Sequence, residues 1–293
     1  MAGVEGNQIC SPIYPKSIKP IKRREKEEEI IGSKAQFCAA FYHVHEWHYT
    51  VRGTTEHHCL DEDSCIIAER AKMSKKQSNW HVQPKDVVAV VKFEDREKNT
   101  LYEARYTNCR PQKMHAEDFF KYDIEEGDLK EIVRENEGGR ITMYLTLQPC
   151  NRSTSLEGTE NTRANQSCCE KLVKIYSRNL RRRNIDLCVK VTHMCRLNLV
   201  QETGEDEILR QRAVAGVTAL MLIGVEVKEM TKGDWEYLFK MTEANVPENK
   251  ESRQKLDKSV QKTLAEVELF TKSLTKSLSL LSSVVNKLQA KNQ

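Results

Sequence analysis

The chain has 293 residues, of which 39% are hydrophobic and 31% charged, and its 47 basic and 43 acidic side chains leave a formal charge of +4. That is enough apolar content for a sizeable core, and a net charge that permits a polyanionic partner without demanding one. The longest apolar run, residues 213 to 225, is shorter than a bilayer span and is flanked by Arg210, Arg212 and Glu226, so no membrane partner is expected.

Residues 1 to 33 carry a basic cluster (Lys19, Lys22, Arg23, Arg24), an acidic run and little to bury, and read as a disordered arm without an apolar leader. That places the protein in the cytoplasm, the nucleus or both, where its ten cysteines are expected as thiols or metal ligands. From residue 34 small and aromatic residues at helical spacing predict a first helix and the start of a folded domain running to residue 246. His43, His45, His48, His57, His58, Cys59 and Cys65 follow; their spacing matches no standard zinc finger, and the segment reads as a polar loop.

Apolar DVVAVVKFED and alternating TLYEARYTN, joined by a polar turn, predict a hairpin. A helix is expected from about His115, a strand over ITMYLTLQ, a helix over CCEKLVKIYSRNL and a strand over IDLCVKVTHMCRLNL. A largely buried helix over EILRQRAVAGVTALMLI, a strand at VEVKEM and a helix at DWEYLFKMTEA complete the domain. This order predicts an α/β fold, a mixed five-stranded sheet with helices on both faces. Arg178, Arg181, Arg182 and Arg183 form a second basic cluster, read as a solvated face.

Residues 250 to 293 change character. Leu264, Val267, Thr271, Leu274, Leu278, Leu281, Val285 and Leu288 occupy a and d positions of a heptad, and Phe270 and Val284 widen the stripe. This amphipathic helix is expected to pack, through residues 256 to 288, on its own domain, on a second copy in a homo-oligomer or on a partner helix.

Three short stretches carry chemistry: HAE at His115 to Glu117, Pro149-Cys150, and the pair Cys168-Cys169. One histidine and two cysteines form a donor set that zinc accepts, leaving a fourth position for a water of near-neutral pKa. His115, Cys150 and Cys168, or Cys169 in its place, are the candidate ligands, and Glu117 is the candidate proton carrier. His-x-Glu followed by Pro-Cys and a further Cys is the signature of zinc-dependent nucleobase deaminases, in which the cysteines are normally three apart. Here the separation is 168 − 150 = 18. The inserted NRSTSLEGTENTRANQS is polar and turn-rich, so it is expected to loop out over the surface and return, giving one interrupted site.

These motifs, together with TLQPC, CCEKL, MCRL at Met194 to Leu197 and IGVEVKEMTKGDWEYLFK, resemble the AID/APOBEC-like branch of the cytidine deaminase superfamily over residues 34 to 244. The resemblance implies a cytidine-deaminase-like fold, zinc as cofactor, and deamination of cytosine to uracil in single-stranded DNA or RNA, in innate antiviral defence, sequence diversification or RNA editing. The family's second ligand is commonly followed by Ala, which makes Cys168 the ligand and Cys169 the Ala equivalent. Thr146-Leu147-Gln148 stands where DNA-editing members carry Ser-Trp-Ser, and TLQPC is closer to the TLEPC of bacterial tRNA adenosine deaminases. Deamination of free nucleosides, nucleotides or tRNA adenosine is therefore an alternative, as is a non-catalytic zinc-containing interaction protein acting through its C-terminal helix. Trp80 is a candidate base-stacking residue, and Arg110 and Arg196 are candidate phosphate contacts.

Overall fold

The computed structural model describes residues 41–42, 44–45, 57–58, 87–109, 112–159, 162–197, 204–241 and 251–291. Val88–Glu94 (β1) and Thr100–Thr107 (β2) form the expected antiparallel hairpin. Its turn is closed by the Asp95 carboxylate, which accepts the backbone and side-chain amides of Asn99 at 2.7 and 2.9 Å. Ala116–Glu126 (α1) and Asp128–Glu135 (α2) follow, then the strand Arg140–Leu145 (β3). Cys168–Ile175 (α3) leads to Asp186–Val191 (β4), Gly204–Leu222 (α4) to Glu226–Glu229 (β5), and Lys232–Lys240 (α5) and Glu251–Lys291 (α6) end the chain.

The sheet order is β2-β1-β3-β4-β5, antiparallel up to β3 and parallel from β3 to β5. Parallel neighbours cannot be joined by a tight turn, and α3 and α4 supply the crossovers. Alternation in β1 sends Ala89, Val91 and Phe93 into one core and Val88 and Val90 into the other. α1 to α4 fill the first through Phe120, Leu129, Leu172, Ile175, Val217 and Leu220; α5 covers the second through Trp235, Leu238 and Phe239. The mixed five-stranded sheet, the helices on both faces and the long C-terminal helix are thus all present.

α6 packs beside β5. Leu256, Val260, Leu264 and Val267 join the larger core, and Gln261 donates to Glu229 at 3.0 Å. The strand expected over IDLCVKVTHMCRLNL stops at Val191, because its neighbour β5 ends at Glu229 opposite that residue. The next carbonyl, Thr192, instead accepts the Arg253 guanidinium of α6 at 2.6 Å. Arg253 is 2% exposed, pairs with Asp257 at 2.6 Å and lies 4.9 Å over the Trp235 ring, whose Nε1 donates to Asp257 at 3.0 Å. Arg253→Met leaves Asp257 without its cation and the Thr192 carbonyl without a donor, so urea unfolding should show a loss on the order of 3 kcal/mol.

α3 becomes a π-turn at Tyr176–Leu180 and a 3₁₀ turn at Arg181–Arg183, ended by Asn184 at φ 55°. Asn tolerates this left-handed geometry better than most residues, and the clustered arginines complement the negative end of the helix dipole. The arm at residues 1–33, the first helix apart from residues 41–42, and most of the His/Cys-rich segment lie outside the described residues. Within that segment, expected as a loop, residues 44–45 pair antiparallel with residues 57–58. Cys109 is disulfide-bonded, a departure from the expectation of thiols and ligands alone, whereas Cys150, Cys168, Cys169, Cys188 and Cys195 are free. Among the described residues no helix is long and apolar enough to cross a membrane.

Candidate metal centre

β3 carries the chain to the site. Its extension stays tied to the sheet: the Thr146 N–H donates to the Val88 carbonyl at 3.0 Å, and that of Gln148 to the His193 carbonyl at 3.1 Å. Pro149-Cys150 therefore emerges at the carboxyl ends of β3 and β4, the edge at which open α/β sheets place their ligands. α1 and α3 both begin here, and the unpaired N–H groups of helix starts favour negative sulfur.

The interruption closes at its base. Asn151 and Ser167 face each other as an antiparallel bridge, the Arg152 N–H donates to the Gln166 carbonyl at 2.9 Å, and the Ser167 hydroxyl donates to Asn151 Oδ1 at 2.8 Å. Cys168 thereby returns beside Cys150, whose carbonyl accepts the Cys169 N–H at 3.0 Å. Ser167 also caps α3, accepting the Glu170 N–H at 3.1 Å. The Ser-x-x-Glu spacing is the sequence signal for this cap, and it fixes the helix start at Cys168 without reference to a metal.

His115 Nδ1 lies 3.2 Å from Cys168 Sγ and 3.6 Å from Cys150 Sγ, and one donor atom from each residue falls within 4.8 Å of the others. Tetrahedral zinc would hold nitrogen and sulfur ligands about 3.5 Å apart, so donor set and spacing fit such an ion. The cluster can hold a metal ion. Cys169 is not part of it. Its thiol donates to the Pro149 carbonyl at 3.4 Å and sits against α4, where a Cβ added to Gly216 would come within 2.8 Å of its sulfur.

The electrostatics follow from the crowding. Donation from the Cys168 thiol, and then from His115, holds Cys150 well below the ordinary thiol range. Burial and then that same donation push Cys168 well above it. Burial opposes a charged His115, but its hydrogen bond to Cys150 prevails and raises the imidazole above its usual value. Glu117, in the first turn of α1, is 2% exposed, and among the described residues its Oε2 has no hydrogen-bond partner. Burial raises its carboxyl above the usual range, against the pull of the His115 charge.

A set of residues not anticipated from the sequence braces the cluster. Asp118 accepts the His115 backbone N–H at 2.9 Å, pairs with Lys171 of α3 at 2.6 Å and accepts the Gln166 amide at 3.3 Å. His115 Nε2 hydrogen-bonds the buried Thr162 hydroxyl at 3.3 Å; with Nδ1 on a metal ion, Nε2 would carry the proton and donate. Lys113 donates to the Thr159 carbonyl at 3.1 Å and Arg163 to the Gln112 carbonyl at 3.0 Å. The inserted segment is therefore more than a surface excursion: it lies against the His115 loop, with Ser153, Thr162 and Gln166 buried. It does so with Leu156 as its one large apolar residue, because its polar groups satisfy the facing backbone. Thr162→Val should weaken zinc binding about tenfold in competition with a chromogenic chelator, and Thr162→Ser should restore it.

Arg196, at φ 74°, pairs with Asp206 at 3.5 Å and donates to the Thr154 carbonyl at 3.2 Å, so it braces the inserted segment. Arg110 and Trp80 lie outside the described residues. No family model matches the sequence, and no curated protein matches it. Fold and site together define an α/β protein with a cluster of a half-buried histidine and two buried cysteines able to hold a metal ion.

Proposed function

We propose that the protein is a zinc-dependent deaminase that converts cytosine to uracil in single-stranded DNA or RNA. The observation that carries this reading is the convergence of His115, Cys150 and Cys168 beside a buried carboxyl with an unpartnered oxygen, Glu117. The three residues would hold zinc, which when bound supplies a water activated at neutral pH. Glu117 would accept one proton from that water and pass it to the ring nitrogen as the oxygen enters at C4; the second proton, left on that oxygen, would go through Glu117 to the exocyclic amine, which leaves as ammonia while C4 becomes a carbonyl. The raised carboxyl of Glu117 suits a group that must both take and return a proton. A single strand is required because C4 is unreachable in a stacked duplex. The cytoplasm or nucleus is the compartment in which such a strand is met.

The test is to incubate the zinc-loaded full-length protein with single-stranded DNA, single-stranded RNA, cytidine and adenosine, and to score conversion of each. Uracil in a strand supports the reading. Conversion of free nucleosides alone, or of adenosine, reassigns the substrate. No conversion of any substrate removes the enzyme and leaves a metal-containing interaction protein.

A further inference from the structure

The C-terminal helix outruns the domain it packs on. Leu256, Val260, Leu264, Val267 and Thr271 are buried, yet every residue from 275 to 283 is exposed. Of the seven large hydrophobic side chains exposed among the described residues, Leu269, Phe270, Leu278, Leu280 and Leu281 lie here, each at least 50% exposed. At 1.5 Å per residue the stretch beyond Thr271 is about 30 Å long. Among the described residues the domain's own contact with this helix ends near Leu274.

Charge selects the occupant. Between residues 269 and 291 the charged residues are Lys272, Lys276, Lys287 and Lys291, and no Asp or Glu follows Glu268. Advancing the helix by 100° per residue spreads Leu280, Phe270, Leu281, Leu274 and Leu278 over half the circumference. Ser273 and Ser277 lie within that face; Lys272, paired with Glu268 at 2.7 Å, and Lys276 stand at one border, and Thr271, Thr275, Ser279, Ser282 and Ser283 occupy the rest. A half-cylinder is wider than the seam a two-stranded coil uses, and no acidic side chain after Glu268 offers the lysines of a second copy a partner. A broad apolar face bordered by lysines and backed by small polar residues is the arrangement of a helix lying in a lipid–water interface.

We propose that residues 269–291 of α6 are a surface anchor for anionic lipid. The helix lies along the membrane with Phe270, Leu278 and Leu281 among the headgroups and acyl boundary, and its lysines take up the negative headgroups. Such a contact needs no spanning segment, so the short apolar run at residues 213–225 does not bear on it. The anchor is independent of the deaminase reading, since it involves no residue of the metal cluster.

The test is flotation of the full-length protein with vesicles of phosphatidylcholine alone and of equimolar phosphatidylcholine and phosphatidylserine. Binding to the anionic vesicles is expected, with release at high salt. Leu278→Glu with Leu281→Glu should abolish it while leaving the thermal unfolding midpoint unchanged, because both side chains are exposed. Lys272→Gln with Lys276→Gln should weaken it about thirtyfold. Absence of binding, or binding indifferent to lipid charge, overturns the proposal. So does a concentration-dependent dimer in sedimentation that the two glutamates dissolve, which would make this face a contact between copies, and so does capture by an acidic protein groove in preference to vesicles.

Discussion

Replacing Glu117 by Gln is expected to lower the deamination rate a hundred- to ten-thousand-fold, roughly the contribution of one positioned acid–base group, while zinc content and unfolding midpoint stay at the parent values. The side chain keeps its shape and loses only the proton chemistry. Glu117 is buried, one of its oxygens is unpartnered, and it is not one of the three clustered donors. Removing an uncompensated buried charge does not destabilise a fold and frequently does the reverse. Zinc measured by atomic absorption and the single-turnover rate on the substrate found active must therefore separate. A rate equal to the parent's would end the role assigned to Glu117. Loss of zinc in the same variant would instead make it a support of the metal site.

Cys168→Ser is expected to abolish stoichiometric zinc binding, and Cys169→Ala to retain it. The two residues are adjacent, but successive residues at a helix start point about 100° apart. Cys168 Sγ meets His115 Nδ1 at 3.2 Å, whereas the Cys169 thiol turns to the Pro149 carbonyl and α4. Removing one of three ligands costs most of the affinity. Because zinc binds the folded chain, it should also cost the metal-linked stabilisation, about 4 kcal/mol at a thousandfold excess over Kd. Cys169→Ala removes one buried sulfur from a tight contact, a loss on the order of 1 kcal/mol in stability with the metal still bound. Zinc retained by Cys168→Ser and lost by Cys169→Ala would invert the assignment, and both results are read from metal content without an activity assay.

Much of the fold was legible because its elements are strongly periodic. β1 and β2 carry β-branched and aromatic runs on either side of a polar turn, the second half of α4 is an apolar run from Ala213 to Leu222, and α6 has a heptad stripe. The boundaries moved where long-range pairing decided them: β4 stops at Val191 because β5 is short, and the Thr192 carbonyl is taken by Arg253, 61 residues further on. No local window contains that contact. The inserted segment was misjudged for a related reason. A polar composition marks a loop, but whether the loop faces water or another backbone depends on what stands opposite, here Gln112, Lys113 and His115.

By itself the sequence determined which chemistry is available: one imidazole, thiols and a carboxyl near His115, the order of strands and helices, and a tail with a wide apolar stripe. Those follow from residue type and short-range spacing. Only the tertiary structure decided that Cys168 and not Cys169 joins His115 and Cys150, that Asp118 and Thr162 hold the imidazole in place, and that, among the described residues, nothing covers α6 from residue 275 to 283. Each of these depends on the rotational phase of a helix or on an approach between residues tens of positions apart, and packing alone sets both.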